Sequence, residues 1–486
     1  MSRTETRRSI RRRGRHVGLT VMTCVILQAV PTLAGASAAW GRAIEVPGLA
    51  SLNTSGDASV SQVSCGSPGN CSAVGSYAPA KNVVQAFVVS EVGGTWRHAV
   101  EAPGSSALNG GGFANMSDVS CSSTGNCSAA GTYSPKPLVY RVMVENEVLG
   151  TWQPATRLVG TADFDRANYA SVSVVACGSV GNCSMSGEYE DRLNYNHVFL
   201  ANEVHGHWGP AFEMPGTTLL NAEGNDEVLA MSCPSAGNCS VGGELSTSLS
   251  TTTAFVANEL HGQWASEASP PGVSALAKAG TANVTSISCP SAGTCTAVGT
   301  FNLSSLRQGA FVVNEVHGHW TRAKVLPGTT ALSHGYLAQS GGVSCPSVGN
   351  CAVVGSFGTY AHDYQAFVAS EVRGVWSNAV EAPGAASLNT GGSANLGPLA
   401  CPSVGNCSAG GSYKSSATGF QAFVISEVHG TWTSAHSIPG FVKLDPGGDG
   451  GVYSISCPSV GACVAAGAYS ITSPTTQAFV ANERSS

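Results

Sequence analysis

From residue 39 onward the chain is written in short strand-like runs separated by glycine-rich punctuation. VYSISC (452–457) alternates apolar and polar side chains, CSAVGSY (71–77) is rich in small and β-branched residues, and QAFVVSEV (85–92) is nearly continuous apolar sequence of strand length. Such runs read as β-strands, and a 3.6-residue helical period is nowhere sustained. A CPSVGNC-type loop joins the first run to the second. A variable loop of about seven residues leads to the third. A two-residue turn ending in glycine (GG, LG, HG or RG) then enters a fourth run such as TWRHAVEAP (95–103). An X-Gly pair between strands is a strong hairpin signal, because glycine accepts the positive φ that tight hairpins need. The pattern predicts units of four strands.

The unit repeats without insertion or deletion. All eight tryptophans (Trp40, Trp96, Trp152, Trp208, Trp264, Trp320, Trp376 and Trp432) lie 56 residues apart. The same interval separates eight glutamates: Glu91, Glu147, Glu203, Glu259, Glu315, Glu371, Glu427 and Glu483. Sixteen of the 17 cysteines keep it too, as Cys65/Cys71, Cys121/Cys127, Cys177/Cys183, Cys233/Cys239, Cys289/Cys295, Cys345/Cys351, Cys401/Cys407 and Cys457/Cys463. A four-stranded unit repeated eight times predicts an all-β fold, an eight-bladed β-propeller. A solenoid would need distinct capping units at its ends. Here the ends complete one another: the last unit stops after QAFVANE (477–483) without a fourth strand, and AWGRAIEVPG (39–48) is a fourth strand without a third. The N-terminal strand is therefore expected to pair with the C-terminal one and close a single domain over 39–486.

Residues 1–38 read as a signal peptide: seven arginines, an apolar run from Val17 to Val30, and Ala36-Ser37-Ala38 as the cleavage signature. TRRSIR (6–11) weakly resembles a twin-arginine motif, so either export route fits. The leader holds seven of the 23 Lys and Arg and one of the 29 Asp and Glu, which leaves 16 basic and 28 acidic residues, a net charge of −12. An acidic surface with scattered arginines argues against nucleic acid as a partner. No segment of the mature chain has the length and apolarity of a membrane span, so a secreted monomer without membrane insertion is expected.

In an exported protein the cysteine pairs read as eight local disulfides, each contributing at most about 2 kcal/mol through the unfolded chain. Metal binding is disfavoured, because the spacing is not C-x2-C and no histidine accompanies every pair. Each recurrent glutamate faces the tryptophan across the hairpin on an otherwise apolar face, so it must be hydrogen-bonded, to the indole N–H or to backbone amides of the next blade. Eight sugar sites are the functional alternative for the same residues. His205, His261, His317 and His429 occupy the turn where Gly93, Leu149 and Arg373 stand in other units, which points to solvated turn residues.

Where the units stop agreeing, the surface is available for function. The cysteine hairpins and glycine turns fall on one face of the ring and scarcely vary. The opposite face collects the variable loops, and the third set is the richest in charge. GTADFDRANYAS (160–171) brings Asp163, Asp165, Arg166 and Tyr169; EYEDRLNYNH (188–197) brings Glu188, Glu190, Asp191, Arg192, Tyr195 and His197. NAEGNDEV (221–228) adds Glu223, Asp226 and Glu227. A solvated patch is the bland alternative. No organic cofactor is expected; calcium is conceivable at Asp445 and Asp449 or at Asp163 and Asp165, although neither pair matches a known ligand loop.

The SCPSVGNC and AFVxxEVHGxW pattern resembles the repeats of secreted bacterial β-propeller proteins, a largely uncharacterised group, and the resemblance covers the whole mature chain. SEVHGTW (426–432) is similar in part to the Asp-box hairpin of sialidase-type propellers, S-x-D-x-G-x-T-W. Val428 stands where the aspartate belongs, and the glycine-to-tryptophan spacing is one residue short. The three arginines and the tyrosine nucleophile that a sialidase implies do not assemble from this sequence. Two functions follow as expectations: a non-enzymatic extracellular propeller that binds glycan or protein through its variable face, or a carbohydrate-active hydrolase or lyase in which Glu188 or Asp191 acts as acid or base.

Overall fold

The computed structural model describes residues 39–161, 168–216, 226–248, 251–359, 363–416, 419–472 and 474–484; the signal peptide expected over 1–38 lies outside them. Eight antiparallel sheets follow one another along the chain, each with its strands in sequence order. In blade 1 these are Ser59–Ser67, Asn70–Ala80, Val83–Val92 and Thr95–Trp96. In blade 8 they are Gly451–Ser456, Val464–Thr472, Thr475–Arg484 and, from the other end of the chain, Ala39–Trp40. Trp40 lies opposite Glu483 and Ala39 opposite Arg484, so the eighth sheet is built from both termini, as the sequence predicts.

The fourth strand is split. After Trp96 the backbone leaves its own sheet, Ala99 N–H donates to the Pro47 carbonyl of blade 8, and the chain returns as Val100–Glu101 against Phe87 and Val88. Seven of the eight sheets carry this extra two-residue strand. The detour links each outer edge to the blade before it.

Two local features differ from the sequence reading. The second and third strands extend into what reads as a variable loop: in blade 1, Tyr77 pairs with Gln85 and Ala80 with Val83, which leaves a two-residue turn at Lys81-Asn82. The blade-to-blade links also hold one-turn helices, at Leu49–Leu52, Ser105–Leu108, Val273–Leu276, Thr329–Leu332, Ala385–Leu388 and Phe441–Leu444. Four residues are too few to show a helical period, although each turn follows a Pro-Gly pair (Ser-Pro-Pro-Gly in blade 4) and plants its first side chain in the core.

Each of the eight seams between blades encloses its own apolar cluster. The bulk of these clusters recurs in register: Phe87, Phe199, Phe255, Phe311, Phe367, Phe423 and Phe479 are wholly buried, and Met143 takes the position in blade 2. Nearer the central channel the seams are polar. In six of the eight blades a serine precedes the first cysteine and accepts from the next blade's cysteine N–H, as in Cys121 to Ser64, Cys177 to Ser120 and Cys345 to Ser288, all at 2.9–3.0 Å. The bond from Cys65 N–H to Ser456 Oγ, also 3.0 Å, carries the same ladder across the chain ends.

In blades 1 to 7 the two hairpin turns lie side by side on one face. Gly94 N–H donates to Gly69 O at 2.8 Å, and the asparagine of the cysteine turn accepts from the first residue of the other turn, as in His429 N–H to Asn406 Oδ1 at 3.2 Å. Both residues of the glycine turn have positive φ, for example His429 at 50° and Gly430 at 78°. Histidine, leucine and arginine tolerate the first of these positions because a neighbouring side chain holds them there.

Candidate functional site

All eight cysteine pairs form disulfides: Cys65–Cys71, Cys121–Cys127, Cys177–Cys183, Cys233–Cys239, Cys289–Cys295, Cys345–Cys351, Cys401–Cys407 and Cys457–Cys463, with Cα atoms 3.9–4.1 Å apart across the hairpin. Within these hairpins the second cysteine of every pair is buried. Cys71, Cys127, Cys183, Cys239, Cys295, Cys351, Cys407 and Cys463 are only 2–6% exposed. Each opens the second strand with its side chain turned into the seam, where Cys71, Cys127, Cys295 and Cys351 join the apolar clusters. Hydroxyls of the preceding blade lie against several of these sulfurs: Ser184 on Cys239 at 3.4 Å, Ser240 on Cys295 at 3.3 Å and Thr296 on Cys351 at 3.5 Å. A disulfide sulfur has no proton, so none of these sulfurs donates to the hydroxyl beside it, and the Cys127 sulfur donates nothing to Glu147 Oε2, 3.2 Å away. These cysteines are buried residues of the seams. Cys177, Cys183 and Glu203 are the one trio of metal-ligand type gathered within 4.8 Å among the described residues, and the disulfide between the two cysteines ties up both sulfurs.

The recurrent glutamates are buried at the seams and bridge them. Glu147 accepts from Ser90 Oγ at 2.9 Å and Ser72 Oγ at 2.6 Å, both in the preceding blade. Glu203 does the same with Asn146 and Ser128, and Glu259 with Asn202 and Ser184. Burial raises the carboxyl pKa of Glu203, Glu259 and Glu427 against the opposing pull of these donors. The indole donor goes elsewhere than expected. Trp152 Nε1 donates to Ser90 Oγ, Trp264 Nε1 to Asn202 Oδ1, Trp96 Nε1 to Asn482 Oδ1 and Trp432 Nε1 to Ser370 Oγ, at 3.1–3.2 Å. Ser90, Asn202, Ser370 and Asn482, each the residue before a recurrent glutamate, thus serve the next blade twice, donating to its carboxylate and accepting from its tryptophan. Reading strands singly hides this partner, because it lies on the facing blade.

On the opposite face, the end of the seam between blades 3 and 4 gathers carboxylates. Glu188 sits on the second strand of blade 3, and Glu227 pairs with Glu244 across the first two strands of blade 4. Among the described residues, every neighbouring charge acting on Glu188 is negative. Burial first, and then Glu227, Asp226 and Glu244, push its pKa up to about 7, against a weak hydrogen bond from Ser173. Burial and Glu227 raise Glu244 as well. Glu244 is the repeat equivalent of Glu188, 56 residues on, in a position that holds serine, threonine or alanine in the other units. Comparing the strands unit by unit, as well as the loops, exposes it.

The other predicted site residues divide by role. Asp163, Asp165, Arg166 and Glu223 lie outside the described residues. Tyr169 stacks edge-on against Tyr140, which packs likewise on Phe113, with centroids 5.8 and 5.6 Å apart. Asp226 is 1% exposed and accepts from Ser246 N–H at 3.1 Å. Asp191 staples its own loop: Oδ1 accepts from the N–H groups of Leu193 (2.7 Å) and Tyr195 (3.0 Å), and Oδ2 lies 3.6 Å from His197 Nε2. Burial resists ionisation of Asp191, but these donors and the imidazole outweigh it and hold the carboxyl below its ordinary range. Glu190 donates its backbone N–H to Tyr169 O, and Arg192 is exposed.

Asp445, a conceivable calcium ligand, is fully buried and accepts from Ser470 N–H (2.7 Å) and Gln421 Nε2 (2.9 Å). It occupies the position of Asn53 and Asn389, which tether the same link in their blades. Tyr189 donates to Glu213, as Tyr77 does to Glu101 and Tyr469 to Glu45, a recurrent tie between the second strand and the split fourth that the sequence reading missed.

No protein-family profile matches the chain, and no curated protein matches it in sequence. Among solved structures it is similar to a puromycin-hydrolyzing peptidase of Mycobacterium tuberculosis, at 11% identity and a TM-score of 0.42, over 90% of this chain and 62% of that one. It is similar to a protein of unknown function from Dyadobacter fermentans, at 9% identity and a TM-score of 0.38, over 67% of this chain and 97% of that one. It is also similar to the subtype N11 neuraminidase-like protein of A/flat-faced bat/Peru, at 11% identity and a TM-score of 0.35, over 64% and 86%. Likenesses at this level carry no argument about activity.

Proposed function

We propose that this protein is a secreted binding propeller whose variable face recognises cationic groups of a glycan or protein ligand at the seam between blades 3 and 4. The convergence of Glu188, Glu227 and Glu244 carries the reading, since the carboxylates neighbouring Glu188 among the described residues add repulsion. A ligand ammonium or guanidinium would relieve that repulsion and draw Glu188 back to its ionised form. Eight disulfides fit the oxidising compartment a secreted protein enters, and no helix among the described residues is long and apolar enough to cross a membrane.

The test is retention on arrays of amino-sugar glycans and basic peptides by the mature chain and by an E188Q/E227Q/E244Q variant, with folding checked by circular dichroism. The reading expects retention that weakens with salt and is lost in the variant. Unchanged retention in the variant removes the site. A hydrolase or lyase is the second reading, favoured by a carboxyl that titrates near neutrality beside other carboxylates. It expects polysaccharide turnover that E188Q abolishes.

A further inference from the structure

The hairpin face, opposite the acidic seam, carries a pocket that recurs in register. Between blades 2 and 3 a cavity of about 370 Å³ is lined by Asn126, Glu147, Val148, Val180, Glu203 and His205. Between blades 6 and 7 the corresponding residues, Asn350, Glu371, Val372, Val404, Glu427 and His429, line one of about 350 Å³. Between blades 7 and 8, Asn406, Glu427, Val428, Val460 and Glu483 line one of about 240 Å³. Sizes near 300 Å³ stand at the lower end of small-ligand pockets. At the seam between blades 4 and 5 the same positions close up and leave no water-sized space; Leu260 stands there in place of one valine and Ala292 in place of the other.

The open pockets share their apolar flanks and acidic floor, and the one between blades 7 and 8 adds Arg484. Two valines flank each, one from each blade, and they are half-exposed: Val148 at 47% and Val180 at 52%, Val372 at 55% and Val404 at 50%. The floor offers acceptors. A carboxylate has about four lone-pair sites, and the bonds from Ser128 and Asn146 fill two of those on Glu203. Asn146 Oδ1, on the floor of the pocket between blades 2 and 3, is buried and has no partner. Neither lysine nor arginine lines the pockets at seams 2/3 and 6/7, so an anion would meet carboxylates without compensation. The matching ligand has hydroxyl donors on one edge and hydrocarbon on its faces.

We infer that the hairpin face is a ring of repeated subsites for a neutral saccharide. Each pocket takes one pyranose, with its C–H faces between the valines and its hydroxyls on the glutamate and asparagine floor. A repeating polysaccharide engages several pockets at once, which converts weak single contacts into avidity. The inference is independent of the acidic seam on the other face and does not depend on it.

Calorimetry with neutral monosaccharides, and with soluble glucans, mannans and galactans, tests it on the mature chain. The expected result is saturable monosaccharide binding and at least tenfold tighter binding of one matching polysaccharide. V148L/V372L/V428L reproduces the natural closure at three exposed positions and should lower the monosaccharide stoichiometry by three. L260V should open the closed seam and raise it by one. The E188Q/E227Q/E244Q variant should bind saccharide as the unmodified chain does. Absence of saturable binding across the panel, stoichiometry unmoved by both sets of valine–leucine exchanges, loss in the acidic-seam variant, or full displacement by methylammonium would each overturn the inference.

Discussion

Glu145 sits where the other seven units place Val89, Ala201, Ala257, Val313, Ala369, Ile425 and Ala481. It is 2% exposed, neither carboxylate oxygen has a hydrogen-bond partner, and burial alone pushes its pKa up to about 9. Below the unfolded pKa both states hold the proton, and the residue costs nothing in ionisation. Between that value and 9 the unfolded chain releases a proton that the folded chain keeps, so stability falls as pH rises. At pH 7 the cost is roughly 3 kcal/mol as an upper bound, from 1.36 kcal/mol per pKa unit. E145V should therefore unfold at a higher temperature than the native chain, with a gap that widens from pH 5 to pH 9. A pH-independent gap, or none, would show that the carboxyl finds solvent or a partner. Glu267 is a similar exception: it is buried where Ala43, Ala99, Ala155, Ala211, Ala323, Ala379 and Ala435 stand. Both acids are invisible to a search confined to loops. Asp191 shows the reverse error, a loop acid that reads as available but whose lone pairs are held by its own turn.

At the scale of elements, the paired hairpin turns explain why so much of the 56-residue unit does not vary. Gly405 has φ +70°, and a Cβ there would come within 2.7 Å of Gly430 N, whereas a Cβ on Gly430 at φ +78° would meet nothing within 4 Å. G430A should cost about 1 kcal/mol, the left-handed backbone penalty alone. G405A adds a backbone clash and should cost about 2–3 kcal/mol. Urea denaturation of the two variants separates the terms, and equal losses would mean that the turns part readily. The disulfides are a lesser element. Reduction should lower the unfolding temperature while the native circular dichroism spectrum persists at 25 °C, because serine-to-amide bonds and glutamate bridges hold the seams without sulfur. Collapse of the spectrum on reduction would reverse that ranking. The strand count, the hairpins and the partner of Trp40 were legible because an uninterrupted repeat magnifies each signal eightfold. The split fourth strand and the four-residue helices were not, since tertiary bonds to the neighbouring blade make them and local sequence gives them no period. Most of the candidate site was legible for the same reason: Glu188, Asp226 and Glu227 stand out as loop-end charges, whereas Glu244 is hidden inside a strand.

For the whole molecule, closure rests on the edge of Thr475–Arg484, which pairs with Ala39–Trp40 and Ile44–Glu45. Deleting residues 39–45 would bare that edge, and an open strand edge invites pairing with other chains. The truncated chain should elute as oligomers in size-exclusion chromatography. A circular permutant that joins the native ends through a short loop and opens at the blade 1 turn, Gly93-Gly94, should remain monomeric and about as stable as the parent. Aggregation of the permutant alongside a monomeric truncation would contradict this account of closure.

The eighth sheet also imposes an order of events. Tyr469 reaches back 424 positions to Glu45, so a chain made N-terminus first must hold its opening strand unmatched until nearly all the rest has been added. A product cut short by a single blade has nothing for Trp40 to lie beside. Closure thus doubles as a proof of full length, and incomplete copies are left with a loose end for proteases to find.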